Sequence, residues 1–341
     1  MNENLTVAMA PLEGITTAIF RKVYRKYYTG VDLFYTPFLS ANHTHKFKKR
    51  EKREYLPFDD TLIPQLITNS PDDFLWAARV LTEVGYKEIN LNAGCPSSTV
   101  FSKRKGAGML FDTDELERFF SAVFEVKEKE DLAEVSVKTR IGVHDASEAE
   151  DIAKVYSAFP FKEVIIHPRL RVDYYRNDVD LGAFKLMRDI ITPPVASTSS
   201  ATEAPVPELV EGTSVETTRT LIMYNGDICS VDDVKALQKQ IPGTDRIMIG
   251  RGLLKNPALP QMLKGGEGLK IEELKAFHYD LYAAYKEELV NDRDVLFKMK
   301  ELWGYWATLF SENDRQLKAI RKTKNPNEYH AAVETIFTTV C

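Results

Sequence analysis

The chain has 341 residues, of which 44% are hydrophobic and 28% are charged, as is typical of a globular protein. Its formal net charge is −5, so overall charge excludes a generally basic nucleic-acid binder and leaves only local basic patches for such a partner. Three widely spaced cysteines, no signal peptide and no apolar run long enough to span a membrane predict a cytoplasmic protein without disulfides or bound metal.

Short apolar segments alternate with longer amphipathic segments through residue 264. Eight segments have the length of buried parallel strands: Val7–Ala10, Asp32–Thr36, Leu62–Ile67, Glu88–Leu91, Glu134–Thr139, Glu163–His167, Leu221–Tyr224 and Arg246–Ile249. Between them, helical periodicity is clearest in Asp72–Val84, Asp114–Lys129 and Val231–Gln240. Eight such units predict an α/β fold, a (β/α)8 TIM barrel over residues 1–264, with a doubly wound sheet as the alternative.

One segment interrupts this alternation between the sixth helix and the seventh strand. Residues 192–220 are rich in Ser, Thr, Pro and Glu and poor in large apolar side chains. Such a composition cannot bury a core, which predicts an inserted flexible surface loop, with a functional lid as the alternative.

The last 70 or so residues carry a different pattern. The glycines of Gly265-Gly266-Glu267-Gly268 indicate a linker, and no strand pattern follows them. Helical periodicity covers Glu272–Val290, Val295–Phe310, Arg315–Arg321 and Asn327–Thr338. We expect residues 269–341 to form a small C-terminal helical bundle. Its core is expected to hold Trp303, Tyr305, Trp306 and Phe310.

Candidate functional residues, most of them polar, stand where the predicted strands end, which is where a barrel places its chemistry. They are Pro11, Leu12 and Glu13 after the first strand, Gln65 in the third, Asn92 and Cys95 after the fourth, Lys138 and Arg140 at the fifth and His167 at the sixth. Together they predict a pocket with hydrogen-bond donors, an acid/base candidate and a thiol. The alternative for Cys95 is an inert buried cysteine.

Glycine-containing turns follow the seventh and eighth strands, as Asn225-Gly226-Asp227 and Gly250-Arg251-Gly252. Glycines allow close approach of a ligand, and these two loops are the usual phosphate site of a TIM barrel. A phosphate site beside Lys138 fits either a sugar phosphate bound as a Schiff base or FMN. The flavin is favoured because it also gives Gln65, Asn92 and Cys95 a function.

At this point the motifs resemble those of the tRNA-dihydrouridine synthase family, most closely bacterial subfamily C. The resemblance covers nearly the whole chain. It rests on these segments: Met9-Ala10-Pro11-Leu12-Glu13-Gly14-Ile15-Thr16, Leu91-Asn92-Ala93-Gly94-Cys95-Pro96-Ser97, Val137-Lys138-Thr139-Arg140, His167-Pro168-Arg169, Asn225-Gly226-Asp227-Ile228, Ile249-Gly250-Arg251-Gly252, Trp303-Gly304-Tyr305 and Ile320-Arg321.

The resemblance implies a tRNA uridine reductase with FMN as cofactor and NADPH as reductant. Hydride would pass from flavin N5 to uridine C6, and Cys95 would protonate C5 from the opposite face. Asn92 would hold the uracil or the ribityl chain, and Arg140 would lie near the substrate. The flavin would be bound by these residues: Pro11, Leu12, Glu13, Gln65, Lys138 and His167 near the ring, and Asn225, Gly226, Asp227, Gly250 and Arg251 at the ribityl and phosphate groups.

Three basic segments are candidates for contact with tRNA phosphates. The chain is expected to be a monomer. They comprise Lys46, Lys48, Lys49, Arg50, Lys52 and Arg53; Lys103, Arg104 and Lys105; and Arg315, Lys318, Arg321, Lys322 and Lys324. The resemblance to subfamily C implies that the target uridine lies in the D-loop of the tRNA, with position 16 favoured.

The chain departs from the family pattern at Pro168, at Tyr224 and in the length of residues 192–220. Two alternatives remain: an FMN enzyme acting on a free pyrimidine, as dihydroorotate dehydrogenase does, and a non-catalytic tRNA-binding barrel.

Overall fold

Ten parallel strands form one curled sheet in the computed structural model, which describes residues 4–193 and 219–340. The strands are β1 Thr6–Met9, β2 Leu33–Tyr35, β3 Leu39–Ser40, β4 Leu62–Ile63, β5 Gln65–Ile67, β6 Glu88–Ala93, β7 Glu134–Gly142, β8 Glu163–Leu170, β9 Leu221–Tyr224 and β10 Arg246–Ile249. Their order in the sheet is β3-β5-β6-β7-β8-β9-β10-β1-β2-β4. Each of the eight predicted strands is therefore present, and all pair in parallel.

The third predicted strand divides at Pro64 into β4 and β5 because proline cannot donate a backbone hydrogen bond. β4 pairs with β2, whereas β5 pairs with β6, so this one segment joins the two ends of the sheet. The Pro64 carbonyl also accepts a hydrogen bond from the Asn90 amide, with N and O 2.9 Å apart. The sheet thus curls into a barrel, and the predicted TIM-barrel class is confirmed.

Fourteen α-helices accompany the described strands, ten of them around the barrel. These ten are α1 Ala18–Tyr27, α2 Lys49–Tyr55, α3 Pro71–Val84, α4 Ser98–Phe101, α5 Thr113–Lys127, α6 Glu148–Ser157, α7 Leu181–Ile191, α8 Val231–Gln240, α9 Arg251–Lys255 and α10 Leu259–Leu263. A 3-10 helix, Gly106–Phe111, lies between α4 and α5. The predicted helices correspond to α3, α5 and α8. In α3, Ser70 accepts the Asp73 amide hydrogen bond at the start, and Gly85 ends the helix with a φ of 117°.

The C-terminal region is the predicted helical bundle, composed of α11 Ile271–Glu288, α12 Asp292–Trp306, α13 Asp314–Lys322 and α14 Pro326–Val340, with a short 3-10 helix at Ser311–Asn313. Trp303, Trp306 and Phe310 are buried in its core as predicted, and Tyr305 is half-buried. The bundle packs on the barrel through Phe277, whose ring centroid lies 5.8 Å from that of Phe20 in α1.

Two strands extend beyond their predicted ends, which changes where the polar residues stand. Lys138 and Arg140 lie within β7, and His167 lies within β8, so their positions are fixed by strand pairing rather than by loops. Of the predicted insertion at 192–220, residues 194–218 lie outside the described residues. None of the helices in the described ranges has the length and apolar character needed to cross a membrane.

Candidate active site at the carboxyl ends of the strands

A cavity of about 310 Å³ opens where the parallel strands end. Its volume lies within the usual range for a small-molecule site. Nine of the eleven residues predicted to bind a cofactor line it: Pro11, Leu12, Lys138, His167, Asn225, Gly226, Asp227, Gly250 and Arg251. The other two, Glu13 and Gln65, do not. The folded chain thus brings most of the predicted site together from five separate strand ends.

The turn after β9 fits tightly against its own strand. Asn225 donates from Nδ2 to the Met248 carbonyl at 2.8 Å, which ties this turn to β10. A Cβ atom on Gly226 would stand 2.6 Å from the Tyr224 hydroxyl oxygen, so only glycine fits there. The turn therefore presents main chain rather than side chain to the cavity at that position.

Two arginines meet one carboxylate at the polar end of the cavity. Asp227 accepts a hydrogen bond from Arg251 at 2.7 Å, between Nη2 and Oδ1, and it forms a bidentate pair with Arg169. Burial acts to raise the pKa of Asp227, but the hydrogen bond and charge of Arg169 and the charge of Arg251 together lower it. The resulting cluster has two cations for one anion, which leaves positive charge for an anionic ligand group.

Arg169, the third residue of the motif His167-Pro168-Arg169, has a partner in the structure that the sequence did not predict. Its side chain is 2% exposed, and it links β8 to the turn after β9 through Asp227. The two-residue spacing from His167 was the available signal, because residues two apart on a strand share a face. Sequence alone did not reveal the charge partner, since Asp227 lies 58 residues further along the chain.

His167 is held as a neutral hydrogen-bonding group. Its Nε2 lies 3.2 Å from Nη1 of Arg169, and arginine can only donate, so the neutral ring carries its proton on Nδ1. Burial, followed by the charges of Arg140 and Lys138, lowers the pKa of His167 well below its usual value. The ring is therefore suited to hydrogen bonding, whereas a protonated imidazolium acid at neutral pH is disfavoured.

Lys138 lies on β7 and faces the same cavity. Its pKa falls to about 7, chiefly because it is buried and secondarily because of the charge of Arg140. No side chain in the described residues forms an ion pair with it. The residue as a whole is half-buried, and an amine with no carboxylate partner can regain its charge when an anionic ligand binds.

A buried chain of amides connects the barrel interior to the loop that holds Cys95. Gln65 donates to Asn90 at 2.8 Å, and Asn92 donates to Gln65 at 2.8 Å. Asn92 Oδ1 then accepts the backbone amide of Cys95 at 2.9 Å and that of Gly94 at 3.1 Å. In this structure Gln65 and Asn92 order the Cys95 loop rather than line the cavity.

Cys95 is partly accessible and lies within electrostatic range of Lys138, Arg140 and Glu13. Burial raises the pKa of its thiol above the usual value, and the Ser97 backbone hydrogen bond and the nearby cations only partly oppose this effect. The thiol is therefore protonated at neutral pH. A protonated thiol beside the cavity can act as a proton donor. The alternative, an inert buried cysteine, would not need to be accessible or to lie near the cavity.

Arg140 was predicted to lie near a substrate, and the structure places it behind the loops. It is 1% exposed. Its guanidinium donates to three carbonyls: Gly94 at 2.9 Å, Leu170 at 2.7 Å and Tyr174 at 2.8 Å. These bonds fasten the Cys95 loop to the loop after β8 and use three of the five N–H donors of the guanidinium.

Tyr175 is a cavity residue that the sequence did not indicate. Its ring stacks on His167 with centroids 5.9 Å apart, and the Arg251 guanidinium lies 4.7 Å from the ring centroid. It is 47% exposed, so it forms a partial cover over the cationic end of the cavity.

Two of the three departures from the family pattern, Pro168 and Tyr224, are accommodated without entering the cavity. Arg140 pairs with His167 and Gly142 with Leu170, so β8 has one extra residue there, a bulge that contains Pro168. Tyr224 is 3% exposed and packs edge-on against Phe184 of α7, with ring centroids 5.1 Å apart. Neither residue lines the cavity.

The predicted basic segments lie at the surface. Lys103 and Arg104 are exposed beside the Cys95 loop, and Lys105 is half-buried. On α13, all four predicted cations are exposed: Arg315, Lys318, Arg321 and Lys322. In α2, Arg50 and Arg53 pair with Glu13 and Glu288, so that segment is partly neutralised.

A parallel α/β barrel with a cationic cavity at the carboxyl ends of its strands defines a barrel enzyme that binds an anionic ligand. A profile of the dihydrouridine synthase (Dus) family matches residues 8–197 and 213–339. The chain therefore belongs to this family, whose members are oxidoreductases.

Relatives of similar length support this assignment. The chain is 27% identical over 288 residues to "Probable tRNA-dihydrouridine synthase" of Staphylococcus epidermidis (strain ATCC 12228), covering 82% of this chain and 78% of that one. It is 27% identical over 289 residues to "Probable tRNA-dihydrouridine synthase 2" of Bacillus subtilis (strain 168), covering 82% and 79%. Among solved structures, morphinone reductase in complex with tetrahydroNAD has a TM-score of 0.48 and 13% identity, covering 77% of this chain and 88% of that chain.

Proposed function

We propose that this protein reduces the C5–C6 bond of a uridine in tRNA to 5,6-dihydrouridine, with FMN as its flavin and NADPH as reductant. The observation that carries the proposal is the cavity, which gathers nine predicted cofactor residues around unpaired positive charge. Membership of the dihydrouridine synthase family and relatives named as tRNA-dihydrouridine synthases support the substrate class.

The residues present fit FMN at both ends of the cavity. Arg251 and Arg169 supply more positive charge than Asp227 neutralises, and Gly226 keeps the main chain open to a phosphate or ribityl group. Lys138 and the Nδ1 proton of His167 offer two donors for the electron-rich edge of an isoalloxazine. Pro11 and Leu12 also line the cavity, and Gly250 stands at the entry to α9.

When bound, FMN supplies the hydride that adds from N5 to uridine C6. The chain's own task is then to deliver a proton to C5. Cys95 is protonated at neutral pH, and the bonds from Asn92 to the Cys95 and Gly94 amides fix the loop that carries the thiol. Arg140 holds this loop from behind through the Gly94 carbonyl. We assign Cys95 as the proton donor and Asn92 and Arg140 as residues that position it.

We further propose that the helical bundle binds tRNA through the exposed face of α13. Leu317 and Ile320 are buried, which turns Arg315, Lys318, Arg321 and Lys322 outward. No ion pair to Asp or Glu is formed by these four within the described residues. Such an uncompensated basic face suits a phosphate backbone.

Reversing the charge of Lys318, Arg321 and Lys322 to glutamate should weaken binding of unmodified tRNA and flatten its salt dependence. Each lost phosphate contact removes about one unit from the slope of log K against log salt concentration. The matched control is Lys235→Glu with Lys239→Glu on α8, which are equally exposed. Filter binding at several salt concentrations measures the tRNA affinity and its salt dependence. An unchanged slope of log K against log salt concentration in the triple variant would contradict the proposal that α13 binds tRNA.

The proposed reaction is tested by incubating purified protein with FMN, NADPH and an unmodified tRNA transcript, followed by mass-spectrometric mapping of dihydrouridine. We expect a gain of two hydrogens at a D-loop uridine, with position 16 examined first. Reduction of free uracil or orotate instead would favour the small-pyrimidine alternative. Flavin reduction without any modified nucleotide would contradict the tRNA assignment.

A further inference from the structure

Two exposed aromatic side chains lie on the barrel rim beside the Cys95 loop. Phe111, at the end of the 3-10 helix Gly106–Phe111, is 53% exposed, and Tyr174, in the loop after β8, is 37% exposed. Neither lines the ligand cavity. Because large aromatic rings are usually covered in a folded chain, two of them at one edge of a site indicate a contact surface.

Arginines stack on both exposed rings. The guanidinium carbon of Arg104 lies 4.4 Å from the ring centroid of Phe111. That of Arg171 lies 4.2 Å from the centroid of Phe101 and 5.5 Å from that of Tyr174. Each ring therefore contacts an arginine on the protein side and keeps part of its surface exposed to solvent.

The loop that carries Tyr174 is held by backbone hydrogen bonds in an uncommon conformation. Tyr174 adopts a φ of 52°, a left-handed conformation that is unfavourable for a residue with a side chain. Its carbonyl accepts a hydrogen bond from Arg140 at 2.8 Å, and its amide donates to the Arg171 carbonyl at 3.2 Å. An unfavourable conformation held by a buried arginine is typical of a functional position.

This rim is continuous with the loop of the proposed proton donor. The Ala107 amide donates to the Cys95 carbonyl at 3.1 Å, and the Arg104 amide donates to the Phe101 carbonyl at 2.9 Å. The same arginine, Arg140, bonds to Gly94 beside Cys95 and to Tyr174. A base seated against the rim would therefore be a near neighbour of one seated at Cys95.

Positive charge surrounds the exposed rings. Lys103, Arg104 and Arg176 are exposed, and Arg171 is half-buried. In residues 4–193 and 219–340, none of the four forms an ion pair with an acidic side chain. Aromatic faces combined with uncompensated cations are the usual means by which proteins hold unpaired nucleotides.

We propose that Tyr174 and Phe111, supported by Arg171 and Arg104, form a stacking surface for the unpaired nucleotides that flank the target uridine in the RNA substrate. The inference rests on the proposed function, which supplies the RNA. It adds a binding surface on the barrel that is separate from both the cofactor cavity and α13.

The test measures the affinity of purified holoprotein for an unmodified tRNA transcript by fluorescence anisotropy at several salt concentrations. Tyr174→Ala and Phe111→Ala should each weaken binding by about 5- to 100-fold, the range expected for loss of one stacked base. The salt slope should stay unchanged, because an uncharged ring releases no counterion. Tyr174→Trp should bind at least as well as the wild type, since it retains a stacking face.

Phe58→Ala is the matched control, because Phe58 is an aromatic side chain that is 47% exposed and packs beside Tyr86, away from the Cys95 loop. It should leave tRNA affinity unchanged, and all four variants should retain FMN affinity. Wild-type affinity in both Tyr174→Ala and Phe111→Ala would overturn the stacking surface while leaving the proposed reaction intact. A wild-type protein that binds no tRNA would instead overturn the proposed function.

Discussion

Cys95→Ala should lower the rate of the proposed dihydrouridine formation by about 100- to 10,000-fold, which is the usual contribution of a positioned acid. FMN affinity and the rate of flavin reduction by NADPH stay near the wild-type values, because the thiol does not line the cofactor cavity. The loop should also stay folded, since the Asn92 side chain bonds to the backbone amides of residues 94 and 95 rather than to the thiol. Single-turnover assays with prereduced enzyme separate this step from flavin reduction.

Cys229→Ala, assayed at saturating FMN because this exposed cysteine lines the cavity, is the control for loss of a thiol elsewhere in the described residues. It should turn over like the wild type. The pH dependence adds a further check, because burial raises the pKa of Cys95 and activity should be lost only at alkaline pH. Turnover of Cys95→Ala at the wild-type rate would return the residue to a structural role.

Lys138→Met should abolish most flavin reduction while making the protein without flavin more stable. Reduced flavin carries negative charge near N1 and O2, and removing the cation that faces the cavity removes its stabilisation, so we expect at least a 100-fold slower reduction by NADPH. Without flavin, the same lysine destabilises the folded chain, because burial lowers its pKa from 10.5 to about 7 and so disfavours its charged form. Methionine of similar length removes that cost.

The sign of this stability effect follows from the pKa difference between the folded and unfolded chain. Between about pH 7 and pH 10.5 the unfolded chain holds more protons at Lys138, so wild-type stability rises with pH in that window. The increase in the free energy of unfolding caused by Lys138→Met is therefore largest at pH 7 and below, where it is about a few kcal/mol. It becomes smaller toward pH 10. Denaturant unfolding at pH 7 and pH 9.5 measures it. Lys239→Met, at an exposed position, should show no such trend, and an equal gain at both pH values in Lys138→Met would contradict the burial argument.

The sequence by itself determined the elements and most of the cofactor cavity. Strand and helix patterns depend on the spacing of neighbouring residues, so β9, β10 and α8 appear where local periodicity predicts them. Nine predicted cofactor residues lie together because parallel strands bring their carboxyl ends to one edge, whatever the intervening sequence.

Only the tertiary structure decided which partners the polar groups meet. Arg140 bonds to carbonyls that lie 46, 30 and 34 residues away, and Arg169 meets a carboxylate 58 residues away. No local pattern encodes such pairings, because they depend on how loops from different strands close over one another. For the same reason the hydrogen bonds that join Gln65 and Asn92 to the Cys95 loop, and the aromatic rim around Tyr174, became visible only in the folded chain.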